Sequence, residues 1–160
     1  MIALGSANPQ ANSRTDLRLS LKSIDEADKY NNRLPPYTFE YESSVWLPDR
    51  LTSKAQDHWG YYNGADGNTS LLPYFNAIRD ASGTAMKAGS LVKINYPTAG
   101  YTKFIYEANN GLYGGGASLT VGGLRIKKKI DYDPVSKKSL FKQYDYNSSG
   151  YIVYRPIYYY

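Results

Sequence analysis

The clearest periodicity in the chain is an alternation of apolar and polar residues with period two. Tyr37-Thr38-Phe39-Glu40-Tyr41-Glu42 sets three aromatics on one face of a strand and Thr38, Glu40 and Glu42 on the other. A helix at this place would scatter the aromatics around its axis. Leu124, Ile126, Ile130 and Tyr132 likewise predict one face of a second strand. Arg125, Lys127, Lys129 and Asp131 stand opposite, and Lys128, out of pattern, is expected to snorkel or to sit near an edge. Leu91-Val92-Lys93-Ile94-Asn95-Tyr96 and Tyr101-Thr102-Lys103-Phe104-Ile105-Tyr106-Glu107 flank Pro97-Thr98-Ala99-Gly100. That spacing predicts a hairpin, its turn supplied by proline and glycine.

Comparing the chain with itself brings out a degenerate unit: a strand ending in Ile-Asp or Ile-Asn, a polar turn, then a strand ending in aromatic-x-Tyr and an acid or amide. One copy runs from Ile24-Asp25 to Glu42, a second from Ile94-Asn95 to Glu107, and a third from Ile130-Asp131 to Asn147, turning at Asp133-Pro134. Such hairpins cannot stand alone and must stack on one another or on neighbouring sheet. Residues 1–16 then form an N-terminal extension and 17–160 a single β-rich region. Within it we expect a hairpin over 17–42, a long irregular but ordered loop over 43–90, and a hairpin over 91–107. A Gly-rich linker over 108–123 and a hairpin with a terminal strand over 124–160 complete it. A single helical turn around Ala85-Met86-Lys87-Ala88 is the main helical candidate, because Gly83 and Gly89 limit its length. The fold class is therefore mainly β, an antiparallel sheet of stacked Tyr-rich hairpins with one long ordered loop and little helix. The last residues, Gly150 to Tyr160, are apolar on both faces and stop in mid-strand, so the chain reads as a fragment.

Composition sharpens this picture. The 160 residues suit one domain, and their 42% apolar share is unusual in holding 18 Tyr against 4 Phe and 2 Trp. Tyrosine at that density favours pleated, half-wet surfaces. A net charge of +5 attracts anions weakly and falls short of the dense positive field of a dedicated nucleic-acid binder. Without cysteine there is no disulfide, no thiolate zinc site and no thiol nucleophile, and one histidine excludes a two-His metal site. No metal or cofactor is expected. No apolar run reaches the length of a transmembrane helix, so no membrane insertion by this segment is expected, and the first residues lack the pattern of a signal peptide.

Candidate chemistry concentrates in Asp57-His58-Trp59-Gly60-Tyr61-Tyr62-Asn63-Gly64. Asp57 with His58 is the obvious general-base pair, but adjacent residues of an extended strand point to opposite faces and no nucleophile motif accompanies them. Asp57, Asp66 and Glu40 are possible partners for glycoside hydrolysis, yet none lies in a recognisable motif. Asp66-Gly67-Asn68 lacks the spacing of a calcium loop and reads as a turn. Trp59, Tyr61 and Tyr62, with Trp46 upstream, compose an aromatic platform on which sugar rings could stack, Asn63, Asp57 and His58 bonding hydroxyls. The plainer reading is that these aromatics anchor the loop on the sheet. The basic row Arg125, Lys127, Lys129 is read as a solvated strand face, which disfavours nucleic acid as a partner.

Four ordered blocks carry a resemblance: the Asp57 to Gly64 run, Asn68-Thr69-Ser70-Leu71-Leu72-Pro73, the Ile94 to Phe104 run, and Val121-Gly122-Gly123-Leu124-Arg125-Ile126. They resemble a segment of large Bacteroidetes cell-surface proteins that precedes or merges into Rhs-like YD-repeat regions. Tyr132-Asp133 and Tyr144-Asp145 are Tyr-Asp pairs of the kind that names the repeat. The resemblance implies antiparallel strands coiling into a shell, an extracellular or cell-surface location, and a structural, non-enzymatic role. The partners it implies are the remainder of a parent chain or neighbouring β-hairpins. Carbohydrate binding through the loop aromatics is the alternative.

Overall fold

The computed structural model describes residues 2–5, 17–113 and 116–146. Its strands are β1 (Ile2–Gly5), β2 (Arg18–Leu21), β3 (Ser23–Ile24), β4 (Tyr37–Tyr41), β5 (Leu91–Asn95), β6 (Tyr101–Tyr113), β7 (Ala117–Asp133) and β8 (Lys138–Gln143). β1 and β2 make a two-stranded ribbon, and β3 to β8 make one six-stranded sheet in chain order, every neighbour antiparallel. The chain is thus mainly β. Helix among the described residues is confined to single 3₁₀ turns at Pro73–Phe75 and Ala85–Lys87, the latter at the expected place. The expected terminal strand over 150–160 lies outside the described residues.

β5 and β6 meet through the predicted turn. Ala99 takes φ +63°, and Gly100 sits where a side chain would stand 2.8 Å from the Tyr132 carbonyl oxygen. The register pairs Thr38 with Asn95 and Glu40 with Lys93, so the polar face expected of β4 is shared with β5. There Asn95 donates to Thr38 Oγ1 and to Glu40, and Lys93 bonds Glu40 at 3.1 Å. Those two donors, Asn95 foremost, hold the Glu40 carboxyl below its usual range.

Two sequence expectations are corrected. The Gly-rich stretch 108–123 expected as a linker is paired where it is described: its residues 108–113 and 117–121 form the far end of a long hairpin, with Asn109 opposite Val121, Gly111 opposite Leu119 and Leu112 opposite Ser118. Gly122 and Gly123 there serve close packing, as described below. The even face drawn through Leu124, Ile126, Ile130 and Tyr132 is also broken. Ile126 lies opposite Tyr106 but Lys128 lies opposite Ile105, which leaves Lys127 as an extra residue in β7. One inserted residue reverses the alternation beyond it. Leu124 and Ile126 therefore share a face with Phe104 and Tyr106, while Ile130 and Tyr132 share the other with Lys103 and Tyr101, whose ring stacks on Tyr132 at 5.0 Å. Lys128 sits over the Phe141 ring of the edge strand at 4.1 Å.

The interior of the sheet is small and polar at its centre. Thr102, with 1% of its surface exposed, gives its hydroxyl proton to Asp131 Oδ1 at 2.5 Å and lies 2.7 Å from the Tyr96 hydroxyl. That bond, reinforced by Lys129 at 3.0 Å, holds the Asp131 carboxyl below its ordinary value of 3.8. A depressed folded-state value adds stability that is complete above 3.8 and is lost as pH falls through the lower folded value. Thr102→Val is expected to cost about 0.5–1.5 kcal/mol at pH 7. It should also flatten the loss of stability on acidification below pH 4, which urea titrations at pH 7 and pH 3 measure.

Candidate functional site

The long loop packs on the β6–β7 hairpin and is ordered by its own side chains. Residues 56–62 form a miniature hairpin, with Gln56 bridged to Tyr62 and Gly60 at φ +89° closing the turn. Asp57 is fully buried at its centre. Its Oδ1 accepts the N–H groups of Trp59 at 2.8 Å and Tyr61 at 2.9 Å, and its own N–H donates to the Tyr61 carbonyl. Arg79 reaches back to the Asp57 carbonyl with Nη2 at 2.7 Å and to the Leu71 carbonyl with Nη1. Asn63, also buried, donates to the carbonyls of Ile78 and Asp80 and accepts from Ala65 N–H. Asn68 adds a second clamp, donating to Lys54 and Ile78 carbonyls and accepting from Ile78 N–H. Buried carbonyls and amides of an irregular segment need such partners, and short Asp and Asn side chains supply them locally.

Gly122 and Gly123 make the docking possible. They are the two residues of β7 left unpaired between Leu124, opposite Ala108, and Val121, opposite Asn109. A Cβ on Gly122 would lie 2.7 Å from Trp59 Cβ and 2.7 Å from Tyr61 Cδ2, so the loop rests on bare backbone. Gly123 takes φ +97°, where a Cβ would stand 3.0 Å from Asn109 Nδ2 and 3.3 Å from the Tyr61 hydroxyl. Gly83 approaches Ala108 in the same manner, 3.1 Å from a built Cβ.

The proposed aromatic platform is therefore divided. Trp59, Tyr61, Tyr62 and His58 remain neighbours in the miniature hairpin, with the His58 and Trp59 rings edge-on at 6.0 Å. Asp57 and Asn63 are buried and engaged by backbone groups rather than presented to a ligand. The Tyr62 hydroxyl donates to Asp66 at 2.8 Å, and burial with that bond pushes its pKa up to about 12. Trp46 lines a separate groove whose walls include none of residues 57–63. This groove escapes a purely local reading, since its walls come from β2, β4 and the loop, far apart in the chain.

The basic row is divided as well. Arg125 and Lys127 both face Glu107, at 2.8 and 3.6 Å, and Lys129 pairs with Asp131. Two carboxylates among three cations leave a single net positive charge along the row, which does not make a track for phosphates. Among the described residues no cluster of three or more His, Asp or Glu side chains could hold a metal ion, and no helix is long and apolar enough to cross a membrane. No family model matches the chain, nor does any curated protein or solved structure.

Proposed function

We propose that the chain is a non-catalytic structural β-segment of a large bacterial surface or secreted protein of the Rhs/YD-repeat kind, adding strands to a sheet or shell scaffold. One observation supports this above the rest: the sheet builds almost no apolar core of its own. Among the described residues the buried apolar ones are Ala55, Ala85 and Met86, while β8 is exposed along its whole length. Leu140 and Phe141 on that edge strand are 76% and 63% exposed. An exposed apolar edge invites strand pairing. In this reading neighbouring hairpins of the parent protein cover it, and the loop clamped by Asp57 and Gly122 fixes the curvature of one end.

Because the chain has no cysteine, a single introduced thiol reports its surroundings without interference. Val135, 90% exposed in the β7–β8 turn, suits the purpose. With Val135→Cys, a membrane-impermeant maleimide is expected to label the protein on intact cells of its natural host or in their medium. Labelling only after the cells are broken would contradict a surface location. Carbohydrate binding is the second reading, favoured by the half-exposed Trp46 in its groove.

A further inference from the structure

We propose that the groove at Trp46 binds a neutral oligosaccharide, a ligand site distinct from the Trp59 loop surface. It deepens the carbohydrate reading above and is independent of the scaffold reading, which the thiol labelling tests separately. The groove encloses about 870 Å³, within the range of about 300–1,000 Å³ usual for small-molecule sites. β2 and the residue after it contribute Arg18 and Lys22, β4 contributes Phe39 and Tyr41, and the start of the long loop contributes Glu42 and Trp46. The lining thus combines aromatic rings with charged side chains.

Two properties of this lining select the ligand. Trp46 leaves 46% of its surface exposed in a concave setting, where a flat indole can take the C–H face of a pyranose ring while the ring hydroxyls stay turned outward. The wall carries both signs: Arg18 and Lys22 are basic and Glu42 is acidic, while the Glu40 carboxylate is already held by Asn95 and Lys93. A polyanion would meet Glu42 and a polycation the two basic groups, whereas sugar hydroxyls donate to the carboxylate and accept from the cations. The polar groups are also held before any ligand arrives. Arg18 donates to the Pro48 and Leu17 carbonyls at 2.7 and 3.2 Å, Lys22 lies over the Tyr41 ring at 5.7 Å, and Glu42 Oε1 accepts Ser44 N–H at 2.8 Å. These contacts fix the side chains, and fixed groups lose little freedom on binding. The Trp59 surface lacks this combination, because Asp57 and Asn63 are buried in the loop and Tyr62 is bonded to Asp66.

The test uses Trp59→Phe, which leaves Trp46 as the sole tryptophan. Titration with neutral oligosaccharides of glucose, N-acetylglucosamine, mannose and xylose is expected to give a saturable shift in Trp46 emission with at least one of them. Calorimetry with the same sugar should then show binding weakened at least about tenfold, a change of 1.4 kcal/mol, by Trp46→Ala and by Glu42→Gln. Trp59→Phe should keep the affinity of the unaltered chain. Trp46→Phe, which retains a ring, should fall between the two and guards against a folding artefact, with amide protection of β6 and β7 as the control. The proposal is overturned if no neutral oligosaccharide in the panel binds, if Trp46→Ala binds as well as the unaltered chain, or if only acidic polysaccharides or apolar peptides bind.

Discussion

Gly122→Val is expected to lift the long loop from the sheet and destabilise the chain by about 1–3 kcal/mol, the usual cost of forcing atoms into a filled space. The clash falls on Trp59 Cβ and Tyr61 Cδ2, each 2.7 Å from the new Cβ, with Asp57 Oδ2 at 3.0 Å. Trp59 Cβ is the root of its side chain and cannot rotate away, so the backbone of the miniature hairpin must move. Gly67→Ala is the matched control. Nothing lies within 4 Å of its Cβ and its φ is not positive, so stability should stay within about 0.5 kcal/mol of the parent. Urea denaturation of the three proteins, followed by circular dichroism and by tryptophan emission, gives the comparison. Equal midpoints for Gly122→Val and Gly67→Ala would show that the loop does not rest on β7 at this point.

The second large effect concerns Asp57. Asp57→Ala removes the acceptor of two buried N–H bonds and leaves both donors orphaned, an expected loss of about 2–4 kcal/mol. Asp57→Asn keeps the Oδ1 acceptor for Trp59 and Tyr61 and removes a charge whose other oxygen, Oδ2, has no hydrogen-bond partner. It should therefore cost less than half as much as Asp57→Ala. A general base would give the opposite ranking of consequences, since an amide cannot take up a proton and the asparagine protein would lose activity while staying folded. Denaturation midpoints for the two variants decide whether the residue is a structural pin.

Strands, turns and the long loop were legible because their signals are local. The Tyr37-Phe39-Tyr41 alternation, the Pro97 to Gly100 turn and the Asp133-Pro134 turn each follow from residues a few positions apart. In the last of these, Asp133 accepts Val135 N–H and the Ser136 hydroxyl. What escaped the reading depends on partners distant in sequence. The extra residue at Lys127 is recognisable only against β6, and it moves Ile130 and Tyr132 to the face opposite Ile126. Gly114-Gly115-Gly116 and Gly122-Gly123 look like a linker in isolation. The second pair becomes a packing surface only when Trp59 and Tyr61, some sixty residues earlier, are laid on it. Lys128 falling out of pattern was the one trace of the bulge visible in advance. The division of the loop aromatics was hidden for a related reason: spacing put Trp46 with Trp59, whereas packing sends one to a groove beside β2 and β4 and the other to β7.

In the proposed scaffold the apolar edge of this sheet is completed by other strands of the protein it serves. The direct test is the reaction rate of a thiol placed on β8 by Leu140→Cys, measured with maleimide against Val135→Cys in the neighbouring turn. In the isolated 160-residue chain both should react at similar rates, since both positions are open to solvent. In the protein as made by its natural host, the Leu140→Cys thiol should react at least tenfold more slowly than the Val135→Cys thiol. Equal rates there as well would mean that nothing covers β8, and would contradict the scaffold account.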